Sequence, residues 1–188
     1  MKNGLKVIIA VAAVILVIVG IVAGSYNSLV TAQTAVETKQ ADIQTQLQRR
    51  ADLIPNFVST VKGYTKYEQE TLTAVTEARA KVGSANSAQS LSEADEELDK
   101  AISVWVNAVT EAYPDLKANS NYIALQDELA GTENRIAVAR KDYNEVVQSY
   151  NAMIKKFPKN IIAGMFGFEK ADFFNADSSA QTVPSVEF

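Results

Sequence analysis

Acid–base chemistry in this chain has only carboxylates to draw on. Twenty-two residues are Asp or Glu, and none of the 188 is His or Cys. That removes thiol nucleophiles, disulfides, Cys/His zinc sites, haem ligation through His and the side chain most used for proton transfer near neutral pH. Glu111, Asp115 and Glu133 are the candidates for a carboxylate-based hydrolase, but no nucleophile–base pair or phosphate loop accompanies them. The Glu-x-x-His pairs of di-metal bundles lack their His. The acidic run Glu93, Asp95, Glu96 and Glu97 falls in the first turns of a predicted helix, where the helix dipole favours negative charge, and this accounts for it without a metal. A net charge of −4 leaves no electrostatic footprint for nucleic acid. The expectation is a protein that is not an enzyme, with no metal and no cofactor.

The elements that would position these residues start with an apolar run. From Val7 to Gly24 no side chain is charged or carries an amide or hydroxyl. At about 1.5 Å per residue, positions 5–24 cover roughly 30 Å, the hydrocarbon thickness of a bilayer. The competing reading is a secretory signal ending near Val22-Ala23-Gly24, but the run exceeds the roughly 7–15 apolar residues of such a signal. A retained, single-pass transmembrane helix is therefore expected. Lys2 and Lys6 precede it and the next basic residue is Lys39, so the charge bias puts the bulk of the chain on the non-cytoplasmic side, with the cytoplasmic side as the alternative.

Helical composition continues past the span. Leu29, Val36, Ile43 and Arg50 recur every seven residues, as do Gln33, Gln40, Leu47 and Ile54, a heptad-like seam with polar members. Arg50 on that seam requires a carboxylate partner. Pro55 predicts a break, with Asp52 capping a second helix that runs to about Lys81 and turns Val58, Val61, Leu72, Val75 and Val82 inward. The alternative is a kink in one long helix. A third helix is predicted to open at Ser90-Leu91-Ser92-Glu93 as a capping box, to bury Leu91, Leu98, Ile102, Trp105 and Val109, and to end at Tyr113-Pro114. The fourth carries Tyr122, Leu125, Leu129, Thr132, Ile136, Ala139, Tyr143, Val146, Tyr150, Met153 and Phe157 in alternating steps of three and four. Glu133 and Arg140 share one flank of it and could pair with a neighbouring helix; Gly131 suggests a close backbone approach.

Lys155, Lys156 and Lys159 then lead into Ile161-Ile162-Ala163-Gly164-Met165-Phe166-Gly167-Phe168. This is either an interfacial element in which Lys155, Lys156, Lys159, Ile161, Ile162, Met165, Phe166 and Phe168 meet the membrane surface, or a lid folded on the helices.

Several motifs together resemble the LemA family of bacterial membrane proteins. They are Tyr26-Asn27-x-Leu29-Val30, Gln46-Leu47-x-Arg49-Arg50-x-Asp52-Leu53-Ile54-Pro55-Asn56, Val61-Lys62-Gly63-Tyr64, Glu111-Ala112-Tyr113-Pro114-Asp115-Leu116-Lys117-Ala118-Asn119, Gly131-Thr132-Glu133-Asn134-Arg135-Ile136-Ala137, Arg140-x-x-Tyr143-Asn144, Tyr150-Asn151 and Phe157-Pro158. The resemblance covers roughly residues 5–174 and implies one N-terminal membrane helix and an all-helical four-helix bundle. It carries over no catalytic activity, because the family's molecular role is unsettled. It marks Arg50, Asp52, Pro55, Tyr113, Pro114, Asp115, Glu133, Arg140, Tyr143, Asn144, Tyr150 and Asn151 as structural motif positions. Tyr67 stands where the family's Tyr-x-x-His-Glu has histidine, so no role for that histidine transfers. Family members with basic residues directly after the span are drawn with a cytoplasmic bundle; this chain has Ser28 and Thr31 to Thr34 there.

The reading is thus all-α: an N-terminal transmembrane anchor over 1–24 continuing into an antiparallel four-helix bundle over 25–158, a short apolar segment over 159–175 and a disordered tail over 176–188. The function expected is that of a LemA-type scaffold or assembly protein in a bacterial cell membrane, a homo-oligomer whose partners are the lipid bilayer and other membrane proteins. The alternative is a membrane-tethered binding or sensor module for a peptide, lipid or protein.

Overall fold

A computed structural model describes residues 2–62 and 69–174. The expectations for Gly63, Tyr64, Tyr67 and the tail over 176–188 lie outside the described residues. Within them the secondary structure is all helical: α1 (Lys2–Lys62), α2 (Gln69–Ser84), α3 (Ala88–Ala112), a 3-10 turn (Pro114–Ala118), α4 (Ser120–Met153) and α5 (Lys159–Phe166). The chain forms two compact units, one of Met1–Thr38 and Glu145–Ala171, the other of Lys39–Asn144 and Asp172–Phe188.

The first unit contains the apolar start of α1. An 18-residue window there has a mean hydropathy of 3.2 and no buried residue, and the helix is long and apolar enough to cross a membrane. After it, Leu29 forms a small core with Ile162 and Ala163 of α5, flanked by Val22, Met153, Ile154 and Phe168. Helix α4 stops at Met153, short of the expected Phe157, which is 80% exposed and not core. Pro158 has no N–H for the carbonyl of Ile154 and its ring crowds that carbonyl, and the exposed Phe157 beside it offers no burial to offset the loss, so the helix ends ahead of it. The seam also shifts: Val147 is buried where Val146 was expected, because 3.6 residues per turn drift away from a strict seven-residue repeat.

In the second unit, α1 continues through Pro55 as one helix, so the predicted break at Asp52 and Pro55 does not occur. Proline removes one hydrogen bond and costs about 3 kcal/mol inside a helix. Ala51, Ile54, Phe57 and Val61 are all buried around it, and several such side chains at about 1.5–3 kcal/mol each outweigh that cost. The seam of Leu29, Val36, Ile43 and Arg50 thereby extends to Phe57, which takes the core place expected of Val58. Its ring meets Trp105 at 5.4 Å and Tyr122 at 5.3 Å, both edge-on.

Helix α3 begins a turn earlier than the predicted Ser90. Ser87 is its N-cap: its hydroxyl accepts from the Ser90 amide at 3.1 Å while the Ser90 hydroxyl accepts from the Ser87 amide at 2.9 Å. Gly131 does not mark a close helix approach, since a methyl there would meet only the Arg135 guanidinium, at 3.4 Å. Partners along α1 and α4 follow in opposite chain order: Lys39 with Asp142, Arg50 with Glu133, Phe57 with Tyr122. So do Asp95 with Arg140 and Thr110 with Tyr122 between α3 and α4.

Candidate functional site

Four charged side chains of the second unit, Asp95, Asp99, Glu133 and Arg140, gather around Arg50. Its seam position buries it, with 4% of its surface exposed. One guanidinium nitrogen donates to Glu133 Oε2 on α4 and the other to Asp99 Oδ1 on α3, both at 2.6 Å. Asp95, 1% exposed, lies beside them: its Oδ1 is 3.9 Å from Arg50 and its Oδ2 pairs with Arg140. The Arg140 guanidinium also sits 5.3 Å from the centre of the Phe174 ring, a cation–π contact. Three helices therefore contribute three carboxylates and two guanidinium groups. The cavity lined by Asp95, Asp99, Glu133 and Arg140 has a volume of about 40 Å³, room for about one water molecule and none for an organic substrate. Among the described residues, no cluster of metal-ligating side chains occurs.

Outside this centre the ion pairs among the described residues are half-buried or exposed. Glu128 lies between Arg135 at 2.8 Å and Arg49 at 2.9 Å. Hydrogen bonding from Arg135, then from Arg49, holds its carboxyl below the usual range. Lys39 is bonded to Asp142 and beside Asp42, which raises its pKa.

A second arrangement uses the Tyr-Asn pairs of α4. In the second unit, the Tyr143 hydroxyl donates to the Asp172 carbonyl at 2.8 Å. Asn144 brackets Phe174, its amide donating to the carbonyl at 3.0 Å and its oxygen accepting from the N–H at 2.9 Å. The first unit repeats the pattern: Tyr150 donates to the Glu169 carbonyl at 2.9 Å, and Asn151 brackets Ala171 at 2.8 and 2.9 Å. Each Asn meets a backbone donor and acceptor together, the complement of a primary amide. Gly167, at φ 74°, supplies the left-handed residue that ends α5 ahead of this clamped segment.

Of the motif residues, Arg50, Glu133 and Arg140 thus join one cluster, and Tyr143, Asn144, Tyr150 and Asn151 form the clamps. Asp52 is exposed and bonds Gln48 and Arg79, Pro55 is an exposed helix residue, and Tyr113, Pro114 and Asp115 make the α3 end and the 3-10 turn. Glu111 and Asp115 are exposed and do not join Glu133. Of the surface set, Lys155, Lys156, Ile161, Met165 and Phe166 are exposed; Lys159 bonds Ser28 at 2.7 Å. Ile162 is a correction: it is buried on Leu29 and presents nothing outward.

Asp95 escaped the sequence reading, because its acidic neighbours make it look like a dipole-driven surface charge. Its spacing gave the signal: Leu91, Asp95, Leu98 and Ile102 step by four, three and four along the buried stripe of α3. The clamps were hidden for another reason, since their partners lie in a segment with no period.

The sequence profile of the LemA family matches residues 39–188. Magnetosome protein MamQ 1 of Paramagnetospirillum magneticum is 25% identical over 182 residues, covering 84% of this chain and 67% of the relative. Protein LemA of Metamycoplasma hominis is 29% identical over 153 residues, 81% of this chain and 67% of the relative. Magnetosome protein MamQ of Magnetospirillum gryphiswaldense is 22% identical over 182 residues, with the same 84% and 67% coverage.

Proposed function

We propose that this chain, which belongs to the LemA family, is a non-enzymatic scaffold: a bilayer anchor over residues 5–24 carrying an antiparallel four-helix bundle that assembles with copies of itself. The observation that carries this reading is the inward commitment of the polar chemistry. Arg50, Asp95, Asp99, Glu133 and Arg140 are engaged with one another around a cavity of about 40 Å³, so the groups most able to act on a substrate hold helices together instead. The opposite chain order of the partners on α1, α3 and α4 supports the antiparallel bundle. The lysines before the span and their absence up to Lys39 favour a non-cytoplasmic bundle.

Self-association is supported by the face of α2 and α3. Ala74, Ala78, Ala101 and exposed Val104 form an apolar strip rimmed by Glu77, Glu97, Lys81 and Lys100. With two acidic and two basic residues on its rim, of which Lys81 and Glu97 pair with each other, the strip carries no net charge to repel a second copy placed against it under two-fold symmetry. Light scattering of the detergent-solubilised full chain over a range of concentrations tests this. A dimer or larger species that Val104→Glu shifts to monomer is expected; a strict monomer at every concentration would reject the assembly.

The clamps favour a second reading, a tethered module for an extended peptide, because Tyr150 and Asn151 hold backbone atoms and take no account of side chains. Saturable binding of a synthetic peptide with the sequence of residues 168–174 to the full chain, weakened by Asn151→Ala, would favour it over assembly.

A further inference from the structure

Helix α5 has no polar face. After Lys159 and Asn160 it reads Ile161-Ile162-Ala163-Gly164-Met165-Phe166. One side is used inside the first unit: Ile162 and Ala163 pack on Leu29 beside Val22, and the Phe166 ring lies 4.8 Å from that of Tyr26. The other side is apolar as well. Ile161 and Met165 are exposed, Met165 by 67%, and so is Phe157 in the turn before the helix. A surface helix in water carries charged or polar residues on its outer face; a short helix that is apolar all round needs an apolar medium on the side that protein does not cover.

The depth of α5 is set by what it touches. Its contacts on α1 run from Val22 to Leu29, about 10 Å along the helix axis, and straddle Gly24, where the apolar run ends. The layer between hydrocarbon and bulk water is about 5–8 Å thick on each side of a bilayer. Lys155 and Lys156 are exposed just ahead of α5, while the Lys159 ammonium is held to Ser28, one turn past Gly24.

We infer that Phe157 and the outer face of α5 form a foot immersed in the headgroup–acyl boundary of an anionic bilayer, with Lys155 and Lys156 meeting its phosphates. This surface takes a lipid bilayer rather than a protein because it is continuous with the apolar run that ends beside it, and an apolar surface edged by lysines settles at that boundary. The inference rests on the anchoring proposed above.

The absence of cysteine makes single nitroxide labels clean in the full chain. The variants are Met165→Cys and Ile161→Cys in the foot, Ile15→Cys in the apolar run, and Val138→Cys, at a position 60% exposed, as the aqueous reference. In vesicles of phosphatidylcholine and phosphatidylglycerol, the ratio of oxygen to nickel-chelate accessibility at Met165 and Ile161 is expected to be several-fold above that at Val138. Omitting phosphatidylglycerol is expected to lower it. Values at Met165 and Ile161 equal to that at Val138, with Ile15 still lipid-like, overturn the foot and leave the anchor standing. A water-like Ile15 overturns the anchor itself. A ratio indifferent to phosphatidylglycerol overturns the part assigned to the lysines.

Discussion

Removing one member of a buried ion cluster leaves its partner charged and desolvated, and that sets a gradient of consequences around Arg50. Asp95 is almost wholly buried between two guanidinium groups, whereas Asp99 is open on its outer side. Asp95→Ala is therefore expected to destabilise the fold by about 3–5 kcal/mol, and Asp99→Ala by less, about 1.5–3 kcal/mol, because Arg50 keeps its bond to Glu133, read from denaturant unfolding followed by circular dichroism. Equal losses would contradict the burial gradient. The clamp phenols have a pH signature. Burial, then the Asp172 carboxylate, pushes Tyr143 above its ordinary 10.0, and burial, then Glu169 and Glu37, does the same for Tyr150. Above that ordinary value the folded chain keeps a proton that the unfolded chain releases, so their contribution is complete below pH ~10 and declines as pH rises through the folded values. In the Tyr143→Phe, Tyr150→Phe double variant the alkaline fall of the unfolding midpoint should be shallower. At this scale the sequence was informative where a charge interrupts an apolar repeat. Arg50 is legible because its seven-residue repeat is long; Asp95 is not, because the acidic run around it has a simpler explanation.

Helix boundaries were read with less success than helix faces. Proline at position 55 predicts a break locally, but Phe57 and its contacts with Trp105 and Tyr122 decide against it, and those contacts are distant in sequence. At position 158 the same residue type, with no comparable burial on both sides, does end the helix. The contrast yields a prediction. Pro55→Ala restores a helical N–H worth about 3 kcal/mol relative to proline, less about 0.4–1 kcal/mol for the freer unfolded chain. A gain of about 2 kcal/mol in unfolding free energy is expected, and a loss would mean that α1 does not pass through this position intact. The clamped segment makes a second test. Asn151→Ala removes both bonds to Ala171, each worth about 1 kcal/mol; the Ala171 amide should exchange with deuterium at least tenfold faster, while amides in the middle of α3 keep their rates. Unchanged exchange at Ala171 would show that the bracket does not hold the segment. Nothing periodic in residues 167–174 announces this role.

At the level of the whole chain the apolar run was the clearest signal, since its length and lack of period are properties of composition alone and need no tertiary contact to interpret. The all-helical character followed from repeats that persist over several turns. What composition could not supply was the use of α5, whose two apolar sides only become distinct once Ile162 and Ala163 are seen on Leu29. The anchored scaffold and the foot at the bilayer surface both depend on residues 5–24 having lipid as their solvent. The most direct measurement is alkaline carbonate extraction of membranes from cells expressing the full chain, followed by ultracentrifugation. The chain should remain in the pellet as an integral membrane protein and enter the supernatant only with detergent; recovery in the carbonate supernatant without detergent would contradict the account.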